Sequence, residues 1–247
     1  AFLFLKANYL YLKDNYEEAL DLLYKLEKTY PNSVDVYILL GEILANGENT
    51  SESIKYFDKA LALAEHDDIP EIINLITESL FELDKDTEIL AYYKKYIKTI
   101  SHNISLMENL VDVYIELGRR WEGIDYFNSL IENNYLDYFA WFCLGKLYFS
   151  VEFFKKAIES YNYALAINPQ YKEATLAKAQ ALIKEKQYDD AIDVYNELVK
   201  TEEDPHDLYK NLALIYEIKK DYHAAIEYRQ KLLDAEPYSA YLRLYLI

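Results

Sequence analysis

The residues able to do chemistry are few in kind and badly spaced for catalysis. Cys143 is the one cysteine, and His66, His102, His206 and His223 are scattered in or near the connections between apolar segments. No His-Glu-x-x-His run puts two imidazoles on one helix face, and no Cys/His spacing suits zinc. A glycine-rich phosphate loop and a Gly-x-Ser-x-Gly nucleophile turn are both missing. With 43 Asp and Glu in the chain, close carboxylate pairs are background and do not mark an acid–base dyad. A single thiol excludes an internal disulfide and a four-thiolate metal site. Flanked by Phe142 and Leu144, Cys143 is expected to pack. No catalytic residue, metal ligand or cofactor is therefore expected. The chemistry left is recognition, with carboxylates for cations and 27 tyrosines for contact surfaces.

The elements that carry these groups are expected to be helices. Of 247 residues, 52% are apolar and only five are Gly and five Pro, which suits long helices with tight connections rather than disorder. The length exceeds one ordinary core, so the chain is either two domains or a repeat array. A net charge of −17 repels phosphate backbones and anionic lipid, so neither nucleic acid nor membrane is expected as a partner. It attracts basic peptides or proteins. No uncharged run approaches the roughly 18 residues of a membrane span, so a soluble protein is expected, with the cytoplasm slightly favoured. The first residues, Ala1 to Lys6, lack the basic lead of a signal peptide. They also lack an initiator Met, so a missing upstream segment is expected.

Three columns organise the chain. Ala19, Ser53, Ile89, Gly123, Ala157, Ala191 and Ala225 recur at intervals of 34, once 36. Ala7, Gly41, Thr77, Val111, Gly145, Ala179 and Ala213 keep the same register. Three residues further on lie Leu10, Leu44, Leu80, Tyr114, Tyr148, Leu182 and Tyr216. Small residues let helix backbones approach while the large ones fill the space beside them. Asp14-Asn15 and Asn46-Gly47 fall where two helices of a unit meet, and Pro31, Pro169 and Pro237 follow second helices. The two extra residues fit near His66 to Asp68, with Pro70 opening the next helix.

The stretch Trp141, Leu144, Gly145, Tyr148, then Ala157, Tyr161, Ala164 and Pro169 resembles the tetratricopeptide repeat family, whose pattern is W-x₂-L-G-x₂-Y, A-x₃-F, P at period 34. Tyr37, Leu40, Gly41, Phe57 and Ala60 match well one unit from the start. The resemblance implies an all-α fold: a right-handed superhelical solenoid of about seven helix-turn-helix repeats with a concave groove. It covers 1–247 as one domain, with repeats at 1–33, 34–69, 70–103, 104–137, 138–171, 172–205 and 206–239, and 240–247 beginning a further helix. Trp141 and Tyr148 are expected in the core, and loss of the Trp141 side chain is expected to cost about 3–5 kcal/mol.

The same resemblance implies that a stripe on each first helix lines the groove and binds protein or peptide without catalysis. In the second to fourth repeats that stripe carries Asp35, Glu42, Glu71, Asn74, Glu78, Glu82, Glu108, Asp112 and Glu116. In the fifth it carries Phe139, Phe142, Lys146 and Phe149. An acidic run leading to aromatics suits a segment with Lys or Arg beside an apolar anchor. The competing reading is that the charges only solvate a face and the phenylalanines pack between repeats. Many members of the family hold acidic tails through Lys, Arg and Asn on this stripe; carboxylates here disfavour that partner class.

The run Tyr238 to Ile247 reads as part of an eighth first helix. It is expected to reflect a longer protein, the alternative being self-association through this apolar end. A pentatricopeptide-like RNA binder would need a period of 35 and a basic groove, and the sequence has neither. A self-assembly module and a regulatory segment of a larger enzyme or complex remain as alternatives to an interaction scaffold.

Overall fold

The computed structural model describes residues 2–47, 49–99, 104–202 and 204–235. Among them the secondary structure is all α, as fourteen helices, twelve of which pair in six antiparallel hairpins. The hairpins are α1 (Phe2–Tyr11) with α2 (Tyr16–Thr29), α3 (Val34–Asn46) with α4 (Thr50–Leu63), and α5 (Ile69–Glu82) with α6 (Asp86–Thr99). Next come α7 (Ile104–Glu116) and α8 (Arg120–Asn133), and then the hairpins α9 (Tyr138–Ser150) with α10 (Phe154–Ile167), α11 (Lys172–Lys184) with α12 (Tyr188–Val199), and α13 (His206–Ile218) with α14 (Tyr222–Ala235). The expected eighth helix, Tyr238 to Ile247, lies outside the described residues, as does His102.

The chain divides into two compact units, Ala1–Leu117 and Gly118–Ile247. The first contains α1 to α7 and the second α8 to α14. Within each unit every helix packs on its neighbours in sequence, and first helices also touch at α1–α3, α3–α5, α5–α7 and α9–α11. This is the packing of a repeat array, in which stability accumulates from nearest-neighbour contacts.

One turn geometry recurs at six of the connections between helices. Asp14, Asp84, Gly118, Glu152, Lys186 and Lys220 all have positive φ, between 54° and 68°. Between α9 and α10 Glu152 N–H donates to the Phe149 carbonyl at 3.0 Å and Phe153 N–H to that of Tyr148 at 2.9 Å. Equivalent pairs close the turns at Asp84, Lys186 and Lys220. These are Schellman closures, which satisfy the last carbonyls of the first helix and reverse the chain. Helix starts are marked by acidic first turns in most hairpins, such as Glu17 and Glu18 in α2 and Asp189 and Asp190 in α12. Asp137 caps α9 by accepting from the Phe139 and Ala140 amides, both at 3.0 Å. Pro70 lies in the first turn of α5, where its missing N–H has no intrahelical bond to lose.

The two small-residue columns are buried at every position, from Ala7 to Ala225. Their purpose shows at Gly41 and Gly145: a Cβ on Gly41 would sit 2.6 Å from Phe57 Cδ1, and one on Gly145 2.6 Å from Tyr161 Cδ1. Each glycine of a first helix thus seats an aromatic ring of the second. Polar members of the columns are satisfied internally. Ser53 Oγ donates to the Thr50 carbonyl at 2.8 Å and Thr77 Oγ1 to that of Ile73 at 2.7 Å.

Two core expectations need correction, and the first is Tyr148, which is half-buried. Trp141 is only half-buried; it stacks on Tyr163 with ring centroids 4.4 Å apart, and Nε1 donates to the Tyr135 carbonyl at 3.0 Å. The indole covers the rim of the α9–α10 hairpin, while Leu144, Leu147 and Tyr161 fill its centre.

Candidate functional site: an acidic trough on the first unit

First helices α3, α5 and α7 bring their carboxylates to one face of the first unit, because residues seven and eleven apart share a helix face. Three adjoining pockets result. At one end, about 230 Å³ is bounded by α1, α3 and the start of α5, with Asp35, Glu42, Asp68 and Glu71 in its wall. The middle pocket, about 190 Å³, shares Glu42 and adds Tyr11, Asn46, Glu78 and Glu82. The largest, about 320 Å³, shares Glu78 and adds Asn74, Asn109, Asp112 and Glu116 over the Tyr93 ring. Eight carboxylates therefore line the trough. No Lys or Arg is among the described residues that line it.

The floor is rigid and polar. Asn74 Oδ1 accepts from Asn109 Nδ2 at 2.7 Å and from Tyr93 Oη at 3.1 Å, joining α5, α6 and α7. Thr50 Oγ1 donates to Glu82 Oε2 at 3.0 Å, and Asn46 Nδ2 to Tyr11 Oη at 3.0 Å. The electrostatics follow from this crowding. Burial, then the charge of Glu71, raises the Glu42 carboxyl above its ordinary range. Burial also raises the Tyr93 phenol; the Thr77 hydrogen bond lowers it, and the charges of Asp112, Glu116 and Glu78 push it up again. Like charges held around a partly desolvated trough favour any ligand that brings positive charge.

Of the residues singled out from sequence in the first unit, Asp35, Glu42, Glu71, Asn74, Glu78, Glu82, Asp112 and Glu116 line this trough. Glu108 lines none of the three pockets. Asp68, Tyr93 and Asn109 join the site without having been expected. Asp68 sits at the irregular interval before α5, where the register shifts. Tyr93 comes from a second helix.

The aromatic members behave differently. Phe139 and Phe142 are 3% and 5% exposed, so they do not present faces to a ligand as expected. Both pack on Tyr171, at 6.0 and 5.1 Å between ring centroids, and Phe142 also meets Tyr161 at 5.9 Å. They join α9 to α10 and to the connection leading into α11. Phe149 is half-buried against Phe154, with centroids 5.3 Å apart, and Lys146 is half-exposed. A separate pocket of about 360 Å³ at the hairpin turns of the second unit is walled by Arg120, Trp121 and Val151. Trp121, an exposed aromatic outside every repeat column, makes an edge contact with Phe153 at 5.3 Å.

Among the described residues no group of His, Cys, Asp and Glu is arranged to hold a metal ion, and no helix is long and apolar enough to cross a membrane. Cys143 is buried.

Residues 128–239 match the family model for the TPR domain of cytochrome c-type biogenesis protein H, and residues 4–68 match a tetratricopeptide repeat model. A TPR repeat-containing protein of Methanocaldococcus jannaschii is 26% identical over 248 residues, which is 92% of this chain and 42% of that protein. The chain thus spans less than half the length of that relative. Among solved structures, the C-terminal part of a TPR repeat-containing protein from Cytophaga hutchinsonii is similar at a TM-score of 0.57 and 18% identity, over 99% of both chains. A tetratricopeptide repeat protein from Parabacteroides merdae gives 0.52 and 15%, over 99% of this chain and 96% of that one. A chain of the APC/C hetero-tetramer Cut9–Hcn1 gives 0.52 and 18%, over 97% and 47%. At these identities the structural likeness is one of fold.

Proposed function

Because the chain belongs to the tetratricopeptide repeat family, we propose that it is a non-catalytic interaction scaffold whose acidic trough holds a Lys- or Arg-bearing protein segment. The fold supports the general role of a protein-interaction scaffold. The observation that carries the specific reading is the trough itself, with eight carboxylates in three adjoining pockets. Two features raise the binding reading above that of a merely solvated face. The carboxylates stand over a shaped floor, fixed by the bonds of Asn74, Asn109 and Tyr93. Glu42 is also held with its proton affinity raised, a cost that an incoming cation offsets.

The segment would lie across α3, α5 and α7 with basic side chains reaching Glu42, Glu78 and Asp112, which occupy one register position on successive first helices. Phe81, half-buried in the same pocket as Asp112 and Glu116, offers the alkyl part of a Lys or Arg an apolar surface. Partners of this kind associate quickly at low salt and lose affinity as ionic strength rises. The test is an array of peptides graded in Lys and Arg content, followed by hydrogen exchange with the strongest binder. Protection confined to α3, α5 and α7 is the expected footprint. Binding independent of basic content, or protection elsewhere, would overturn the reading.

A further inference from the structure

Trp121 and Phe153 break the repeat pattern in the same way. At the register position of Trp121 the other repeats carry Glu17, Ser51, Thr87, Lys155, Asp189 and His223, all polar and exposed. At that of Phe153 they carry Asn15, Asn49, Lys85, Arg119, Gln187 and Asp221, again all polar. A repeat of this chain therefore packs without an aromatic ring at either place. Yet the two rings, from α8 and from the turn before α10, meet edge to face with centroids 5.3 Å apart. After that contact Trp121 is still 55% exposed and Phe153 44%.

Beside them lies the cavity of about 360 Å³ whose wall includes Arg120, Trp121, Val151 and Glu152, all within the second unit. Arg120 stands where Tyr16, Phe154, Tyr188 and Tyr222 stand in other repeats. It is half-buried, and its Nε is enclosed without a hydrogen-bond partner among the described residues. A guanidinium already stripped of part of its water gains more from a carboxylate than a fully solvated one does. The surroundings keep the same sign. Arg119 is paired with Glu122 and Lys155 with Glu185, while the Lys156 ammonium lies 5.6 Å from the Phe153 ring centre. Arg120 and Lys156 thus outnumber Glu152, the acid in the wall. The first turn of α10 adds no acid, whereas α2 and α12 each begin with two.

We propose that this cavity is a docking site for an acidic segment of a partner protein, in which an apolar side chain stands beside Asp or Glu. The apolar side chain lies against the Trp121 and Phe153 rings, and the carboxylate pairs with Arg120. Charge decides the occupant. In a chain of net charge −17 this is a locally basic surface with two exposed rings, which attracts acid and repels the Lys- or Arg-bearing segment assigned to the trough. The site belongs to the second unit and does not depend on the trough, which belongs to the first.

The test uses the whole chain labelled with fluorotryptophan, whose two tryptophans, Trp121 and Trp141, give two fluorine resonances. The probes are pentapeptides with Leu, Phe or Pro between pairs of Glu, and counterparts with Lys in place of every Glu. The Glu peptides should shift the Trp121 resonance saturably and leave that of Trp141 in place. Anisotropy of the same peptides, fluorescently labelled, then compares variants. Trp121→Ser and Phe153→Asn install the residues that the second repeat carries as Ser51 and Asn49, so the fold should survive them. Each should bind at least about tenfold more weakly, and Arg120→Gln about fivefold more weakly. No shift of the Trp121 resonance at millimolar Glu peptide, an equal shift with the Lys peptides, or unchanged affinity in Phe153→Asn and Arg120→Gln would overturn the proposal. So would a wild-type dimer in sedimentation that Trp121→Ser dissociates, because that would assign the rings to a second copy.

Discussion

The ring of Tyr161 occupies the space that a side chain on Gly145 would need, leaving 2.6 Å between its Cδ1 and the place of a Cβ. Tyr161 is buried, and Phe142 packs beside it. The glycine therefore sets the distance between α9 and α10, and Phe57 over Gly41 does the same for α3 and α4.

Gly145→Ala should destabilise the second unit by about 1–2 kcal/mol, since overpacking of a dense core outweighs the gain in helix propensity. Tyr161→Leu in the same chain should return part of that loss. Hydrogen exchange of α9 and α10 is the appropriate measurement, because repeat arrays need not unfold in one step. A stabilised Gly145→Ala variant would contradict this packing.

Trp141→Ala should cost about 2 kcal/mol, less than the loss of a fully buried indole. The ring stacks on an exposed Tyr163, and one indole hydrogen bond goes with it. Tyr163→Ala should remove much of the same contribution, so the double variant should fall short of the sum in chemical denaturation.

Lys186→Gly should stabilise the chain by about 0.5–1 kcal/mol. Lys186 has φ of 65° in the turn between α11 and α12, a conformation costly for a residue with a Cβ and free for glycine. The gain in turn geometry exceeds the added entropy of the unfolded chain. Lys186→Ala should give no such gain, which separates strain from side-chain effects in the same melting experiment.

Glu42 gives a pH dependence with a definite sign. Its carboxyl is raised above the ordinary 4.5, by burial first and by Glu71 second. Between the ordinary value and the raised one, the folded state holds more protons than the unfolded state. Glu42 therefore costs stability as pH rises through that window and costs nothing below it. Glu42→Gln should stabilise the first unit at neutral pH, with a gain that shrinks as pH falls toward 4.5. Denaturation midpoints at several pH values measure this.

The repeat columns were legible in the sequence because each marks a contact with one solution. Gly145 must be small for Tyr161 to lie on it, and a small residue every 34 positions needs no structure to be seen. The acidic stripe was legible for the same reason, since Glu42, Glu78 and Asp112 keep that register. Phe139 and Phe142 were misread because the ring that covers them, Tyr171, comes from the connection after α10, and one sequence window does not show it. Trp141 sits at a column position, yet its partner Tyr163 lies on the rim. The left-handed turns at Glu152, Lys186 and Lys220 carry no glycine signal at all. Their geometry is imposed by the two packed helices on either side.

The central claim is that the trough binds through its carboxylates. Its most direct test is calorimetric titration of a Lys/Arg-rich peptide into the wild type and into Glu78→Lys/Asp112→Lys/Glu116→Lys, at low and physiological salt. All three residues are exposed, so the fold should survive their reversal. The account predicts an affinity lower by about 10- to 100-fold in the variant, with the salt dependence of the wild type largely removed. Equal affinity and an equal salt slope in the two proteins would contradict it.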